Sequence, residues 1–409
     1  MTTPDRTSRP DEPPQKPKLV FLVTEDWYFV SHRLGLAKAA RDMGLDVVVV
    51  TRTKDHADLI QREGFQLISF LLPRSRLSVI SEIKSIVNLY RVYKQLSPDI
   101  VHHVALKPSL YGSIAAFAAR VPHVVNAMTG LGFVFTEGNW KRKLLQPLVR
   151  LLGGVVFSRK DNRIIIQNPD DAETLLKAGI GKRETMTLIR GSGVSFDQFQ
   201  PLPEPDGIVT IAMVSRMLWN KGVGELAEAS RILKAKGLRY RILLIGNPDP
   251  ENPTSIDPVQ LCRWHDEGLV QWRGFRDDVA DVWRTSHIAV LPSYREGLPK
   301  SLLEAAACAR PIVAFNVPGC REIVEDNKNG YLVPLQDHVG LATALETLIT
   351  SPDLRFKMGA YSRKLVEDHF HEDIVIRETL KIYRSMLGGQ DNTLTARKPI
   401  TEPAQSETG

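Results

Sequence analysis

A chain of 409 residues, 43% hydrophobic and 24% charged, has the make-up of an ordinary globular protein and exceeds the length at which one core usually stops growing. Its formal net charge of +6 and pI of about 9.1 favour anionic partners such as phosphates or acidic headgroups without selecting one. Three cysteines, Cys262, Cys308 and Cys320, with no CxxC pair and no histidine at ligand spacing, argue against a disulfide framework or a zinc site and fit a reducing cytoplasm.

Residues 1–17 are rich in proline and charge, lack the apolar core of a secretory signal and are expected to be a disordered tail. No run of about 18 apolar residues offers a membrane span. The expected location is therefore the cytoplasm, soluble or peripheral on the inner face of the membrane. The first predicted strand is Lys18 to Thr24, KLVFLVT, a continuous apolar run suited to a parallel strand covered on both faces. A helical pattern through Leu34 to Met43 follows, then a second such strand, Asp46 to Thr51. Further strands are predicted at Gln66–Phe70, Asp99–His103, His123–Met128 and Arg163–Asn168, with helical patterns between them. The stretch FDQFQPLPEPDG, ending at Gly207, reads as a linker. Alternation restarts with Ile208–Ser215, Tyr240–Gly246, Val270–Phe275, His287–Ser293 and Pro311–Phe315. From Ser351 the pattern is helical to about Leu387, and the polar remainder is expected to be disordered.

Strands alternating with helices imply βαβ units on parallel sheets. The expected fold is α/β, two doubly wound Rossmann-like domains facing a cleft. The N-terminal domain is drawn over 18–200 and the C-terminal domain over 201–370. A helix over 371–387 is free to pack back on the N-terminal domain, and 388–409 forms the tail. Ligands of such sheets bind beyond the carboxyl ends of the strands, so the strand-to-helix loops should carry the chemistry.

Leu291 to Ala306, LPSYREGLPKSLLEAA, is the most informative of these loops. A strand ends near Ser293, Gly297 permits a tight turn, and Pro299 suits the start of a helix. The helix start presents free N–H groups and the positive end of its dipole, a seat for phosphate. Glu296 and Glu304 stand eight residues apart, a little over two helical turns, so both carboxylates can face one cleft and hold sugar and ribose hydroxyls. As a bare spacing the pair would mean little; its strand–turn–helix setting gives it meaning.

With PIVAFNVPGCREIVEDNKNGYLVP behind it, this loop resembles the nucleotide-sugar signature of retaining glycosyltransferases of the GT-B fold, specifically glycosyltransferase family four. The resemblance runs from Lys18 to Leu387. It implies that Glu296 contacts the donor sugar, Glu304 holds the ribose, and backbone amides at Gly297 and Leu298 meet the donor phosphate. A second family motif matches VSRMLWNKG, where Arg216 and Lys221 would converge on the diphosphate. Fixed cations there stabilise the charge of a departing nucleoside diphosphate without a metal. Arg216, Lys221 and Glu296 are thus the expected catalytic set; no metal or cofactor is expected, and UDP is the implied nucleotide. Weaker matches place the Gly246 backbone against the donor and Arg276 near the nucleobase.

The stretches HHVALKPSLYG and VNAMTGLGFVF resemble the branch of bacterial enzymes that extend polyprenyl-diphosphate-linked sugars, galactosaminyltransferases included. The implied transfer is of a hexose or N-acetylhexosamine to a lipid-linked or other glycan acceptor in surface polysaccharide assembly. His103 and Lys107 are expected to face the cleft. The histidine that many members carry after the fifth strand is missing from NAMTG, and Thr129 or His103 is expected to take its space. Arg74 and Arg76, with Lys107, would grip an acceptor diphosphate, since guanidinium forks suit phosphate oxygens. The segment TEDWYFVSHR, Thr24 to Arg33, is expected as a loop whose Glu25, Asp26, Trp27 and Tyr28 line the acceptor site, with a core staple as the alternative for its aromatics. WKRKLLQPLVRLLGGVV, Trp140 to Val156, has the two faces of an interfacial helix, pointing to peripheral contact with an anionic membrane or to packing on a core.

Other classes fit less well. A nicotinamide-dependent dehydrogenase needs a GxGxxG between strand and helix, and GSGVSF at Gly191 lacks both the third glycine and the helix. A phosphorylase would need a pyridoxal-bearing lysine. Nucleic-acid binding lacks an aromatic platform among the dispersed basic residues. A non-enzymatic nucleotide-sugar-binding protein and a nucleotide-sugar epimerase of similar architecture remain alternatives that activity distinguishes.

Overall fold

The apolar runs form two separate all-parallel sheets in the computed structural model, which describes residues 16–72, 79–131 and 153–388. The N-terminal sheet has seven strands in the order β3-β2-β1-β4-β5-β6-β7. They are β1 (Lys18–Glu25), β2 (Asp46–Arg52), β3 (Gln66–Ser69), β4 (Ile100–Val104), β5 (His123–Met128), β6 (Asn162–Ile166) and β7 (Met186–Leu188). The C-terminal sheet has six, ordered β10-β9-β8-β11-β12-β13. They are β8 (Val209–Val214), β9 (Tyr240–Ile245), β10 (Gln271–Trp272), β11 (Ile288–Leu291), β12 (Ile312–Phe315) and β13 (Gly330–Val333). Strand order reverses between β1 and β4 and between β8 and β11, and the crevice for a ligand opens at the carboxyl ends of such a pair.

Burial on both faces explains why the central strands read as unbroken apolar runs. Along β1, Leu19, Phe21 and Val23 enter one layer with Val47 and Val49, while Val20 and Leu22 enter the other with Leu89 and Tyr93. The first of these layers is closed by the end of the chain. After the helix Pro352–His369, the backbone crosses to the N-terminal half, with Val194 N–H donating to the Phe370 carbonyl at 2.9 Å. The helix Glu372–Met386 then lays Val375, Ile382 and Tyr383 into the N-terminal core, and the Tyr383 hydroxyl shares a 2.5 Å hydrogen bond with His102 Nδ1.

Three local expectations need correction. Thr24 to Arg33 is not a loop: Asp26–His32 is a helix starting directly after β1. Its entry is fixed by Asp26, wholly buried, whose carboxylate accepts the Lys54 and His56 N–H groups at 2.5 and 3.1 Å. Glu25, also buried, reaches Lys54 at 3.2 Å, so both carboxylates support the fold instead of lining an acceptor site. The strand expected over Val270–Phe275 shrinks to Gln271–Trp272, because the chain turns out at Gly274 and leaves Phe275 70% exposed. The edge strands β7 and β13 were not foreseen.

Candidate active site

The carboxyl ends of β8 and β11 are adjacent, and the loops that follow are tied to each other. The Asn220 carbonyl accepts the Tyr294 N–H at 2.9 Å and the Ser293 hydroxyl at 3.2 Å. This places the turn Trp219–Lys221 beside the loop after β11, and Lys221 Nζ meets Glu296 Oε1 at 2.5 Å. Both side chains are mostly sheltered, 19% and 12% exposed, so the pair is less screened than an ordinary surface bridge. Arg216, also beyond β8, pairs with Asp249 at 2.7 Å on the neighbouring loop after β9. Sequence reasoning missed Asp249, which lies in NPDPENP with no periodic signal.

The same loop touches the N-terminal half. The Asn168 side-chain amide donates to the Gly297 carbonyl at 2.9 Å, and Arg295 pairs with Asp171 at 3.2 Å. A Cβ on Gly297 would stand 2.6 Å from both the Thr129 carbonyl and Gln167 Oε1, so only glycine allows this approach. Thr129 follows β5 and Gln167 follows β6, so the carboxyl ends of the two sheets face each other across the Glu296 loop. Asn168 was expected only as the end of a strand; its side chain caps the helix Pro169–Lys177. Its contact with Gly297, 129 residues away, was not foreseen either.

Glu304 lies one turn beyond Lys300 on the helix Lys300–Ala307, its carboxylate 3.9 Å from the Lys300 ammonium. Burial pushes its pKa up to about 7, against the pull of Lys300. The thiol of Cys308, just past this helix, is pushed up to about 11 by burial.

Other expected residues are placed differently. His103 does not face the cleft: it is fully buried, hydrogen-bonded to the Tyr93 hydroxyl at 3.0 Å and to Asn126 Oδ1 at 2.8 Å. Burial lowers its pKa to about 4, and it serves the core instead of an acceptor. Lys107 is paired with Glu82 at 2.9 Å, so an acceptor phosphate would have to compete with that carboxylate. Gly246 serves backbone packing: at φ +132° it passes so close to Ser215 that a Cβ would fall 1.9 Å from its carbonyl oxygen. Arg276 is held by Asp278 and reaches Asp281 at 3.7 Å. Leu298 packs its side chain against Gly191. Arg74 and Arg76, and the segment 140–156 up to residue 152, lie outside the described residues.

Each half of the chain matches a family of known proteins. Residues 18–168 match the family model "Glycosyl transferase 4-like", and residues 208–351 match "Glycosyl transferases group 1". The chain is 26% identical over 366 residues to the N,N'-diacetylbacillosaminyl-diphospho-undecaprenol alpha-1,3-N-acetylgalactosaminyltransferase of Campylobacter jejuni, covering 86% of this chain and 94% of that one. It is equally 26% identical over 368 residues to the capsular polysaccharide biosynthesis glycosyltransferase CapM of Staphylococcus aureus, covering 86% and 93%. Among solved structures, sucrose-phosphate synthase from Thermosynechococcus elongatus superposes with a TM-score of 0.75 at 19% identity, over 91% of this chain and all 100% of the other. Anabaena HepE, in complex with UDP and glucose, superposes with a TM-score of 0.71 at 17% identity, over 90% and 100%. With a 4-like half and a group 1 half joined in one two-sheet architecture, the chain belongs to the GT-B glycosyltransferases of these families.

Proposed function

We propose that this glycosyltransferase moves a hexose or N-acetylhexosamine from a UDP-sugar to a polyprenyl-diphosphate-linked glycan, with retention at the anomeric carbon and without a metal, in bacterial surface glycan assembly. The observation that carries this reading is the Lys221–Glu296 pair, sheltered at the carboxyl ends of β8 and β11 and met by the N-terminal half at Thr129 and Asn168. The lipid-linked acceptor is supported by the name of the Campylobacter relative, and the UDP donor by the contents of the HepE structure.

Lys221 and Arg216 are the cations available where charge develops on the leaving diphosphate, and Glu296 is the acceptor for donor-sugar hydroxyls. In the front-face reaction the acceptor oxygen bonds to the anomeric carbon as the bond to UDP breaks, and the hydroxyl proton passes to a diphosphate oxygen. Contact between the halves excludes water and limits donor hydrolysis. The test is a panel of UDP-sugars with polyprenyl-diphosphate-linked acceptors, reading released UDP and the anomeric configuration of the product in chelator-treated buffer. A retained product from one donor is expected; an inverted product, or activity lost with chelator and restored by a divalent cation, would overturn the mechanism.

A membrane-facing surface fits a lipid-borne acceptor. No helix of the described residues is long and apolar enough to cross a bilayer. The helix Val79–Leu96, however, turns Ile80, Ile83 and Val87 outward at 68%, 55% and 41% exposure. Lys84, Arg91 and Lys94 share that exposed face, and no carboxylate does. Exposed apolar side chains among unopposed cations suit an anionic lipid surface. The protein is expected to co-sediment with vesicles containing phosphatidylglycerol at low salt and to be released by high salt, and Ile80→Glu with Ile83→Glu to stay in the supernatant. Equal sedimentation of both proteins would exclude this face.

A further inference from the structure

Lys300 is the second residue after Leu298 in the donor loop, and nothing in the reading above uses it. It opens the helix that carries Glu304, and its side chain is 25% exposed. It donates to the backbone carbonyl of Ser31, at the end of the helix Asp26–His32 in the N-terminal half. The Glu304 carboxylate, four residues on, stands 3.9 Å from the same nitrogen. One cation therefore links the two halves while facing the carboxylate assigned to the ribose. Resting on the donor-site reading above, we propose that Lys300 is a positioning residue that ties closure of the two halves to the grip of Glu304 on the nucleotide.

Only an ionised carboxylate accepts hydrogen bonds from two ribose hydroxyls without giving up a lone pair to its own proton. Burial works against that ionised form, leaving Glu304 near half protonation at neutral pH, and Lys300 is the charge that opposes burial. The other groups around the carboxylate do not substitute for it. The Trp283 indole, on the helix Val279–Arg284, carries no charge. The Cys308 thiol is pushed up to about 11 and stays neutral. From the N-terminal half, burial, Lys300 and Arg33 hold the His32 imidazole well below the usual range, so it too is neutral. When the halves part, Lys300 loses the Ser31 carbonyl that holds it in place, and Glu304 loses its fixed counter-charge. A donor that requires ionised Glu304 therefore favours the closed arrangement, because a ligand shifts a conformational equilibrium toward the state it binds better.

The test is the pH dependence of the donor KM, measured between pH 6 and pH 9 for the unaltered protein, Lys300→Ala and Lys300→Arg. Removing the cation moves the Glu304 transition to higher pH. Lys300→Ala should raise the donor KM about fivefold at pH 7, as expected when the loss of roughly one pKa unit of support moves a group that titrates near 7 to near 8, with most of the loss recovered at pH 9. kcat at saturating donor should change far less than KM, and Lys300→Arg should keep the original profile. A KM loss of equal size at every pH, or no loss, would overturn the proposal while leaving the donor-site reading intact. A flat KM profile for the unaltered protein would instead remove Glu304 from the ribose, and the donor assignment with it.

Discussion

Lys221→Ala should lower kcat by about 10²–10³-fold at saturating donor, the range seen when one preorganised group facing a developing oxyanion is deleted. Two losses combine in that figure. The ammonium that would stabilise the departing diphosphate is gone, and Glu296, 12% exposed and 2.5 Å from the missing nitrogen, is left as an uncompensated carboxylate beside it. The second loss makes the effect larger than for an exposed lysine and gives a sharper check. Replacing Glu296 by glutamine in the Lys221→Ala background should cost much less than in the unaltered protein, because the repulsive charge is removed together with the sugar contact. A double-mutant cycle on kcat reads this directly. Additive losses would mean that the pair is not a functional unit, and an unchanged kcat for Lys221→Ala would remove the lysine from catalysis altogether.

What could be read in advance, and what could not, follows from the range of the interactions involved. The central strands were legible because burial on both faces leaves a continuous apolar run, as in Leu19–Val23 and Val47–Val50. The strand–turn–helix around Glu296 was legible because Glu296, Gly297 and the helix start are close in the chain and their arrangement is local. Edge strands gave no such signal: β7 has three residues, none of them buried. The helix Asp26–His32 was missed because its start depends on Lys54 and His56, which satisfy the buried Asp26 from the loop after β2. His103 was misplaced for a related reason. A strand-end histidine in a parallel sheet commonly faces the ligand crevice, but here Tyr93 and Asn126 enclose both ring nitrogens. The neighbouring His102 is buried against Tyr383, 281 residues away, a partner no local pattern could supply. The contacts that join the halves, Asn168 to Gly297, Arg295 to Asp171 and Lys300 to Ser31, are of the same long-range kind.

Glu304→Gln should make the protein more stable at pH 8 while weakening its hold on the donor. An unfolded glutamate titrates near 4.5, whereas folding raises this one to about 7, chiefly by burial. The folded state thus binds the proton more tightly than the unfolded state. Any stability it contributes is fully present below pH 4.5 and is lost as pH rises to about 7, after which the penalty is constant. At 1.36 kcal/mol per pKa unit, that penalty is about 3 kcal/mol above neutrality. Glutamine has nearly the same shape and never ionises, so it escapes the penalty. Thermal unfolding of Glu304→Gln should therefore occur several degrees higher than that of the unaltered protein at pH 8, with the difference shrinking toward pH 4.5. A difference independent of pH would show that packing, not ionisation, separates the two proteins. Equal stability at pH 8 would show that the carboxylate is not strained by burial. The retention of so unfavourable a group, with Lys300 beside it, is what a binding role for Glu304 predicts, because sites that must present charge in a sheltered place give up stability to do so. A stabilised Glu304→Gln whose donor KM is unchanged would break that link, and the carboxylate would then need an explanation other than the ribose.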